Sequence, residues 1–412
     1  MPAAVLVLPK SGYQNDDFLA AARKLDLTVI AASDACHQLA AHWKASAVVW
    51  KAHDPAEAAA EIAQGLQGLT PAAILGVDDR TAVIAAFAAE KLGLPHNPPA
   101  AVAAARSKAL SRLRLQQAGV PVPRFQLLDL DQPDFAFAPF PCVVKPLSLS
   151  ASRGVIRADT PQELRAAVSR ISALLRSPDV AQRREADSRK LIIEEFVPGL
   201  EVALEGLLQN GELRVLALFD KPDPLDGPFF EETLYVTPSR HPPGLQQEVA
   251  RMVNAGCRAL GLVEGPVHAE LRLSPRGPRI LEIAARSIGG LCGRALRFGV
   301  GITLEELVLR HALGLPLPGP REKLAAGVLM LPIASGGTLV EVRGVETAKQ
   351  VPLIEEVVIT AHLHEELVPL PEGSSYLGFA FARGETPQAV EAALRAAGEH
   401  VRAVVKPRLP IT

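Results

Sequence analysis

The sequence predicts a multidomain protein in which an α/β part is followed by α+β parts. Three features indicate this architecture. The chain has 412 residues, too many for one hydrophobic core, so two to four domains are expected. Residues 1 to about 98 alternate short apolar runs with helix-length segments, which is typical of a parallel sheet covered by helices. Later in the chain, hairpin turns and single amphipathic helices indicate antiparallel sheets with a few helices each.

In the N-terminal part, the apolar runs predict strands at 3–8, 27–31, 47–50 and 73–77, and the segments between them predict helices at 16–25, 55–66 and 80–92. Asp78 and Asp79 follow the fourth strand, at the carboxyl edge where parallel sheets bind ligands. The alternative, which we favour, is that these acids cap the next helix.

A proline-rich break at 95–99 precedes a predicted helix at 100–118, which Gly119 ends. A small α+β module is then expected, with strands at 125–128, 142–145, 155–158 and 191–194. Its helix, 161–175, begins after Thr160 as N-cap and has Pro161 at the first helical position. The polar segment 177–190 is predicted to be an exposed loop.

The remaining chain is predicted to be rich in strands. Asn210-Gly211 lies between apolar runs at 201–208 and 213–219, which is a strong hairpin signal. Helical spacing of apolar residues predicts a core-facing helix at 245–260, ended by Gly261. A proline- and glycine-rich link at 314–320 opens a last block, 321–412, that is expected to be β-rich with a final helix at 387–397.

Composition argues against several classes of function. The net charge of −2 gives no electrostatic reason to expect nucleic acid or an anionic membrane as a partner. No stretch approaches 18 uncharged apolar residues, and the short apolar run at the start is predicted to be a strand and not a signal peptide. The four cysteines, Cys36, Cys142, Cys257 and Cys292, form no CxxC motif, so we expect buried reduced thiols in a cytoplasmic protein.

The most informative motif is a pair of acids, Glu270 and Glu282, each in a short apolar run with a turn-forming segment between them. This layout predicts a β-hairpin on which the two carboxylates face each other. Two neighbouring carboxylates repel each other unless a cation lies between them, and oxygen ligands suit Mg²⁺. Arg286, four residues beyond the second acid, adds a positive charge where a phosphoryl group could be transferred.

A lysine, Lys145, ends an apolar strand and is followed by a serine-rich loop, 147–154. A buried lysine needs an anion, and small residues let backbone N–H groups approach phosphate oxygens, so the pair points to phosphate binding or to an ordinary flexible loop. The segment 191–201 is a strand that ends in Pro-Gly with acids at both ends. It could present its backbone to an adenine ring and a carboxylate to a ribose, or it could be a strand end with exposed acids.

The order of these motifs resembles the ATP-grasp superfamily of carboxylate–amine ligases. The likeness runs from residue 1 to about 320, with a similar tail beyond. It is carried by Lys108 on a helix, the VVKP strand, the small-residue loop, Glu194-Glu195-Phe-Val-Pro-Gly-Leu-Glu201, His268-Ala-Glu270 and Glu282-Ile-Ala-Ala-Arg286. Segments 220–232, 265–270, 284–290 and 375–383 resemble L-amino-acid (dipeptide) ligases of the alanine–anticapsin ligase kind.

The resemblance implies an ATP-grasp fold in five parts. These are an N-terminal Rossmann-like domain (1–98), a linking helix (99–123), a lid subdomain (124–198), a central catalytic subdomain with an antiparallel sheet (199–315) and a C-terminal β-rich subdomain (316–412). It also implies ATP as cosubstrate with one or two Mg²⁺ ions, Mn²⁺ being possible. Ala284 stands where the superfamily often has an asparagine ligand, which leaves the number of ions open.

Roles for individual residues follow from the resemblance alone. Those expected to contact ATP are Lys108 and Lys145 at the phosphates, Ser150, Ser152 and Gly154 in the lid loop, Glu194 and the backbone of Glu195, Phe196 and Val197 at adenine, and Glu201 at ribose. Glu270 and Glu282 would hold the metal, and Arg286 would face the transferred phosphoryl group and the acyl intermediate.

Further residues have two interpretations each. His268 could act on the substrate or only bond the acids of the metal site, and Glu231 or Glu232 could bind a substrate ammonium group or be exposed to solvent. Lys221 could pair with a substrate carboxylate or with neighbouring acids. Backbone N–H groups between Ser287 and Gly290, including that of Gly289, could bind substrate, or the glycines could only allow a tight turn.

The implied reaction joins a carboxylate to an amine, both expected to be amino acids, through an acyl phosphate with release of ADP and phosphate. One alternative is a biotin carboxylase-like or other ligase with a different carboxylate, although the chain has no biotin-carrier motif. Another is an ATP-binding regulatory protein without catalysis. A homodimer is possible by analogy with the superfamily.

Overall fold

The structure is a computed structural model that describes residues 2–34, 46–135, 138–182, 185 and 187–407. Cys36 lies outside the described residues, and Cys142, Cys257 and Cys292 are buried free thiols. The mixed α/β and antiparallel architecture predicted from the sequence is confirmed.

The N-terminal part contains a four-stranded parallel sheet. Its strands are β1 (Ala3–Leu8), β2 (Thr28–Ser33), β3 (Ser46–Val49) and β4 (Ala73–Gly76), in the order β3-β2-β1-β4. Helix α1 (Asn15–Lys24) connects β1 to β2, helix α2 (Pro55–Gly65) connects β3 to β4, and helix α3 (Asp79–Leu92) follows β4. Asp78 caps α3 through a reciprocal hydrogen-bond pair with Thr81, as expected for a capping box. Asp79 does not cap the helix, because its carboxylate lies against Arg286.

The single helix expected at 100–118 is wrong, because the segment forms two helices, α4 (Pro99–Arg106) and α5 (Lys108–Gln117). Ser107 has an extended backbone between them, and its hydroxyl accepts a hydrogen bond from the Leu110 N–H. A serine side chain competes well for such N–H groups, so it begins a helix more readily than it continues one. The break places Lys108 in the first turn of α5.

The next part is a four-stranded antiparallel sheet in the order β5-β8-β6-β7. Its strands are β5 (Phe125–Asp129), β6 (Cys142–Pro146), β7 (Ile156–Ala158) and β8 (Lys190–Glu195). Helix α6 (Pro161–Leu175) packs on it through a buried apolar face that includes Leu164 and Ile171. The segment predicted as a fully exposed loop contains a short helix, α7 (Pro178–Ala181), whose Val180 is buried.

An eight-stranded sheet in the order β13-β12-β9-β10-β11-β16-β20-β18 forms the largest unit. Its strands are β9 (Leu200–Gln209), β10 (Glu212–Lys221), β11 (Leu234–Thr237), β12 (Gly265–Ser274), β13 (Gly277–Ala284), β16 (Ala325–Leu331), β18 (Ile354–Ile359) and β20 (Gly378–Gly384). The β9–β10 hairpin turns at Asn210-Gly211, and β12–β13 form the second predicted hairpin. Helix α8 (Pro243–Leu260) packs on it through the predicted face, and each fully buried side chain there contributes about 1.5–3 kcal/mol.

The large sheet takes strands from both sides of residue 315, where the sequence suggested a boundary. The remaining elements are strands β14 (Arg297–Phe298), β15 (Ile302–Thr303), β17 (Gly337–Arg343), β19 (Glu366–Leu367) and β21 (Arg402–Lys406), helices α9 (Leu304–Ala312), α10 (Val345–Lys349) and α11 (Pro387–His400), and a 3₁₀ turn, Cys292–Ala295. Strands β19, β17 and β21 form a separate small sheet. Among the described helices, none has the length and apolar character that a membrane crossing requires.

Candidate active site

A cavity of about 1130 Å³ lies where the N-terminal sheet, the β5–β8 sheet and the β12–β13 hairpin meet. Ligand pockets for small molecules commonly measure about 300–1,000 Å³, so this cavity has room for more than one. Its lining includes one group with Lys108 and Lys145 and a second group with Glu201, Glu232 and Glu270. We call these two regions the lysine end and the acid end.

At the lysine end, a buried carboxylate is shared by two cations. Glu194, on β8, accepts a hydrogen bond from Nε of Arg112 at 2.5 Å, and its carboxylate lies 2.6 Å from Nζ of Lys145. Burial alone would raise the pKa of Glu194, but the two cations lower it to about 2. The carboxylate is therefore fully ionised at neutral pH and holds Lys145, the partner whose ammonium group lines the cavity.

The serine-rich loop covers this end. Lys108 Nζ donates to the carbonyl of Leu149 at 2.5 Å, and burial lowers the pKa of Lys108. Ala151, Ser152 and Gly154 have positive φ angles of 54°, 54° and 74°. Ser150 and Ser152 line the cavity, whereas the N–H of Gly154 donates to the carbonyl of Pro371 at 2.8 Å.

The segment predicted to contact adenine also lines the cavity, at Glu194 to Val197. The N–H groups of Glu195 and Phe196 already donate within the protein, to the carbonyls of Arg124 and Pro141. The Phe196 ring lies under two guanidinium groups, 4.1 Å from that of Arg157 and 5.2 Å from that of Arg272. This aromatic ring forms a flat side of the cavity.

At the acid end, one ammonium group lies among three carboxylates. Lys221 Nζ is 2.7 Å from Glu201, 2.5 Å from Glu232 and 3.0 Å from Glu270. Oxygen atoms of these three acids come within 4.8 Å of one another, so they could together hold a metal ion. Lys221 was expected to pair either with a substrate carboxylate or with neighbouring acids. Its side chain is 3% exposed and pairs with acids of the protein, as in the second interpretation.

The three acids differ in their electrostatics. Burial, followed by the charge of Glu270, raises the pKa of Glu232 to about 7, although Lys221 acts against this. Burial opposes ionisation of Glu270 as well, but Lys221 and His268 hold its pKa well below the usual value. Glu201 is fixed by a second cation, Arg272, whose Nε lies 3.1 Å from it. The acid end therefore keeps one carboxyl group that titrates near neutral pH.

His268 lies behind the acid end and not on the cavity surface. Its Nδ1 is 2.6 Å from Glu205, and its Nε2 is 3.4 Å from Glu270. Burial would lower the pKa of His268, but its two carboxylate partners raise it to about 9. These contacts agree with the interpretation that His268 forms hydrogen bonds with acids of the predicted metal site, and not with a direct role on the substrate.

Glu282 faces Glu270 across the hairpin in the predicted register. It lines the cavity, and its charge raises the pKa of Lys108 and of Arg286. The group of three converging acids does not include Glu282, so the Glu270–Glu282 metal pair stays a prediction. Ala284, which follows on the same strand, is buried and offers no ligand atom.

Arg286 leaves the end of β13 and pairs with Asp79 of the N-terminal part at 2.9 Å. Its Nη1 donates to the carbonyl of Ser287, whose side chain is buried. Gly290 has a φ of 62°, in the left-handed region that favours glycine, and Gly289 is exposed. The described lining of the cavity includes Asp79 but not Arg286, Ser287, Gly289 or Gly290.

Several residues of the site were not predicted. Arg272 is one that the sequence could have revealed, because it alternates with His268 and Glu270 along β12 and therefore lies on the same face. Arg112 could not be found in this way, since it is distant in sequence from its partner, Glu194. Asp79 was expected to cap a helix or to lie at the ligand-binding edge of the sheet, and its pairing with Arg286, 207 positions away, was not predicted. Lys10 and Trp50, which follow β1 and β3 and line the cavity, were not predicted either.

Comparison with known proteins identifies the domains. Residues 138–295 match an ATP-grasp domain, and residues 329–406 match an L-amino acid ligase C-terminal domain 2. A crystal structure of L-amino acid ligase from Bacillus licheniformis aligns with a TM-score of 0.80 over 99% of this chain and 100% of that chain, at 24% identity. At that identity the likeness shows the fold.

Among curated proteins, carnosine synthase 1 of Gallus gallus is 30% identical over 321 residues, 70% of this chain and 34% of that protein. D-alanine–D-alanine ligase of Cupriavidus necator is 27% identical over 54% of this chain and 68% of its own length. The chain thus spans about a third of the length of the carnosine synthases it matches. The resemblance inferred from the motif order is confirmed. The chain contains an ATP-grasp domain and the C-terminal domain 2 of L-amino acid ligases.

Proposed function

We propose that this protein is an ATP-dependent carboxylate–amine ligase that joins two amino acids through an acyl phosphate, with release of ADP and phosphate. The observation that carries the proposal is a single cavity with lysines at one end and a cluster of acids at the other. Phosphoryl transfer from ATP needs both, because cations stabilise the phosphate oxygens and carboxylates hold the metal that accompanies the nucleotide.

Different residues of the chain would bind the phosphates, the adenine and the acyl oxygen. Lys108 and Lys145 bind phosphate oxygens, and the loop that carries Ser150, Ser152 and Gly154 covers them and keeps water from the acyl phosphate. Phe196 and Val197 border the adenine, and Glu195 presents the adjoining backbone. The substrate carboxylate attacks the γ-phosphorus in line, and the amine then attacks the acyl carbon as phosphate leaves. Arg286 stabilises the negative charge that develops on the acyl oxygen.

The acid end fits a hard divalent cation. It offers carboxylate oxygens only, three of them converging within 4.8 Å, and one acid, Glu232, has a pKa of about 7, so that it binds a proton where a cation could bind instead. Glu270 and Glu282 with Glu201 or Glu232 would hold Mg²⁺ or Mn²⁺, as one ion or two. When bound, the ion neutralises charge between the phosphate oxygens. Lys221 and Arg272 keep the acids in place.

The substrate class rests on the relatives. Proteins named L-amino acid ligase, D-alanine–D-alanine ligase and carnosine synthase are among them, so amino acids are the proposed carboxylate and amine. Glu232 or Glu231 would receive a substrate ammonium group, and backbone N–H groups of Ser287 to Gly290 would bind a substrate carboxylate. The homodimer and the cytoplasmic location stay predictions.

The test is a screen of amino-acid pairs with MgATP, in which phosphate release is measured and the products are identified by mass spectrometry. A peptide ligase releases phosphate in step with dipeptide and only when a carboxylate donor and an amine acceptor are both present. Bicarbonate-dependent release with biotin would instead indicate a carboxylase-like enzyme. ATP binding without turnover over all pairs would favour a regulatory protein.

Glu270→Gln separates an enzyme from a binding protein. The substitution keeps the size of the side chain but removes a charge that Lys221 and His268 both contact. We expect turnover to fall by about 10²- to 10³-fold, as when one electrostatic contact to a transition state is lost, with binding of an ATP analogue changed only a few-fold.

Glu341→Gln is the matched control, since Glu341 is an exposed acid on β17 that pairs with Arg343 at 2.8 Å. It is expected to leave turnover unchanged. Wild-type turnover in Glu270→Gln would contradict a catalytic role for the acid end.

A further inference from the structure

Arg286 is held by a carboxylate from another part of the chain. Its Nε donates to Oδ1 of Asp79 at 2.9 Å, and its Nη2 donates to Oδ2 at 3.1 Å. Such a pairing fixes both the place and the plane of a guanidinium group. Asp79 is the first residue of α3 in the N-terminal part, 207 positions before Arg286.

A count of donors shows what this pairing leaves available. A guanidinium group has five N–H bonds. Three are used, two by Asp79 and one by the carbonyl of Ser287, which Nη1 reaches at 2.9 Å. Within the described part of the chain, the remaining N–H bonds, one on each terminal nitrogen, have no acceptor. Two fixed donors on one planar group suit two oxygen atoms of a carboxyl, acyl phosphate or phosphoryl group.

The N-terminal part also contacts the loop that follows Arg286. The amide of Gln14, just before α1, donates to the carbonyl of Ile288. Tyr13 packs edge-on against Phe379 with ring centroids 5.2 Å apart, and its hydroxyl accepts a hydrogen bond from the N–H of Tyr376 at 3.2 Å. The N-terminal part therefore contacts both Arg286 and the backbone two residues later.

We propose that Asp79 is a positioning residue for the reaction, through which the N-terminal domain sets the orientation of Arg286 toward the reacting oxygens. The inference rests on the proposed function, because it assigns Arg286 to the acyl and phosphoryl oxygens. Asp79 touches neither of these groups in this scheme and acts through Arg286.

Electrostatics support a permanent pairing. Burial would raise the pKa of Asp79, but Arg286, with smaller contributions from Lys108 and Arg106, lowers it. Burial would likewise lower the pKa of Arg286, while Asp79 and then Glu282 raise it. Both groups stay ionised at neutral pH, and removing either charge would leave its partner partly buried and unpaired.

The molecule contains a matched pair that lacks contact with the cavity. Asp17 on α1 accepts two hydrogen bonds from Arg294, at 2.9 Å and 2.8 Å. This pair also joins the N-terminal part to the segment after β13, and its carboxylate is 18% exposed against 23% for Asp79. Arg294 keeps a second carboxylate partner, Glu356 at 3.2 Å, when Asp17 is removed. A comparison of kcat with measured stability in both variants therefore separates positioning from stability.

The experiment measures kcat, KM and thermal stability for Asp79→Asn and Asp17→Asn with MgATP and an accepted amino-acid pair. An amide has one acceptor and presents N–H to the donors of Arg286, so Asp79→Asn should release the guanidinium group. We expect kcat to fall by about 10- to 100-fold, the size of effect that small misplacements of catalytic groups produce, with KM for MgATP changed less than about three-fold. Asp17→Asn should also lower stability, although Arg294 keeps Glu356, and should leave kcat within about two-fold.

Asp79→Glu restores the charge and should recover part of kcat. Equal kcat in the two asparagine variants would overturn the proposal. A decrease in kcat that is proportional to the loss of thermal stability in both variants would also overturn it. If the wild-type protein turns over no amino-acid pair, the proposed function fails by itself. The positioning of Arg286 is then decided by its Nε–H resonance in NMR spectra: a resonance unchanged by Asp79→Asn overturns it, and loss of the resonance through exchange supports it.

Discussion

The two ends of the cavity treat buried carboxylates in opposite ways. At the lysine end one acid, Glu194, has two cations within 2.6 Å, and its pKa is about 2. At the acid end three acids share Lys221, and the pKa of Glu232 is about 7. Among the described residues, Lys221 is the only cation within ion-pair distance of Glu232.

The difference shows how the chain prepares each end for an opposite charge. Glu194 neutralises only part of the positive charge around it, which leaves cationic groups facing the cavity and suits an anion. At the acid end, Arg272 pairs with Glu201 and His268 lies beside Glu270, but Glu232 has only the shared Lys221. A cation that enters beside Glu232 would relieve repulsion that Lys221 relieves in part. A single cavity can thus bind a polyanion and a metal ion next to each other.

The largest expected effect is at the lysine end. Glu194→Gln leaves Arg112 and Lys145 without their shared counter-charge in a buried place, which should lower the free energy of unfolding by about 3–5 kcal/mol. Because the folded pKa is lowered, the contribution of Glu194 is present above its ordinary pKa of 4.5 and is lost only as pH falls through about 2. Urea unfolding at pH 8 measures it. A decrease in the free energy of unfolding below 1 kcal/mol would contradict the claim that Glu194 is strongly stabilised by its two cations.

Glu232→Gln should have the opposite sign. Its folded pKa is raised by burial and by Glu270, so its contribution to stability is present below pH 4.5 and is lost as pH rises through about 7. We therefore expect a gain of about 1–3 kcal/mol at pH 8 and almost no change at pH 5. Unfolding is measured in EDTA, so that no metal ion compensates the charge. Destabilisation at pH 8 would mean that Glu232 has enough positive charge around it.

The smallest expected effect comes from the acid next to Glu194. Glu195 pairs with Arg124 at 2.7 Å, but the arginine side chain is 65% exposed, so water screens the pair. Glu195→Gln should change the free energy of unfolding by only about 0–1 kcal/mol. The same urea titration at pH 8 serves as the comparison for Glu194→Gln. A loss as large as that of Glu194→Gln would show that burial does not control these energies.

Much of the fold was predictable because its signals are local. Asn210-Gly211 specified one hairpin, and the alternation of apolar runs specified the parallel sheet. The facing positions of Glu270 and Glu282 followed from the turn between them. The break at Ser107 was missed because apolar periodicity continues across it, and only the cap at Ser107 shows that two helices are present.

The candidate site was predictable to a smaller extent. Motif order drew attention to Lys145, Glu194 and Glu270, and all three line one cavity. It could not reveal that Lys221 would lie among three acids, because these come from β9, the 222–232 loop and β12. The two strands and the loop bring these acids together only after the sheet has formed. The roles assigned to the site residues stay predictions until the variants are measured.

The sequence by itself determined most of the elements, where the predicted hairpins turn and which superfamily the motifs resemble. These properties depend on neighbours within a few residues and on the order of motifs. The tertiary structure alone decided how charges are paired: Arg112 with Glu194, Arg286 with Asp79, and Lys221 with its three acids. Pairing energies fall with distance in space and not along the chain, so partners 82 and 207 positions apart become visible only when the chain has folded.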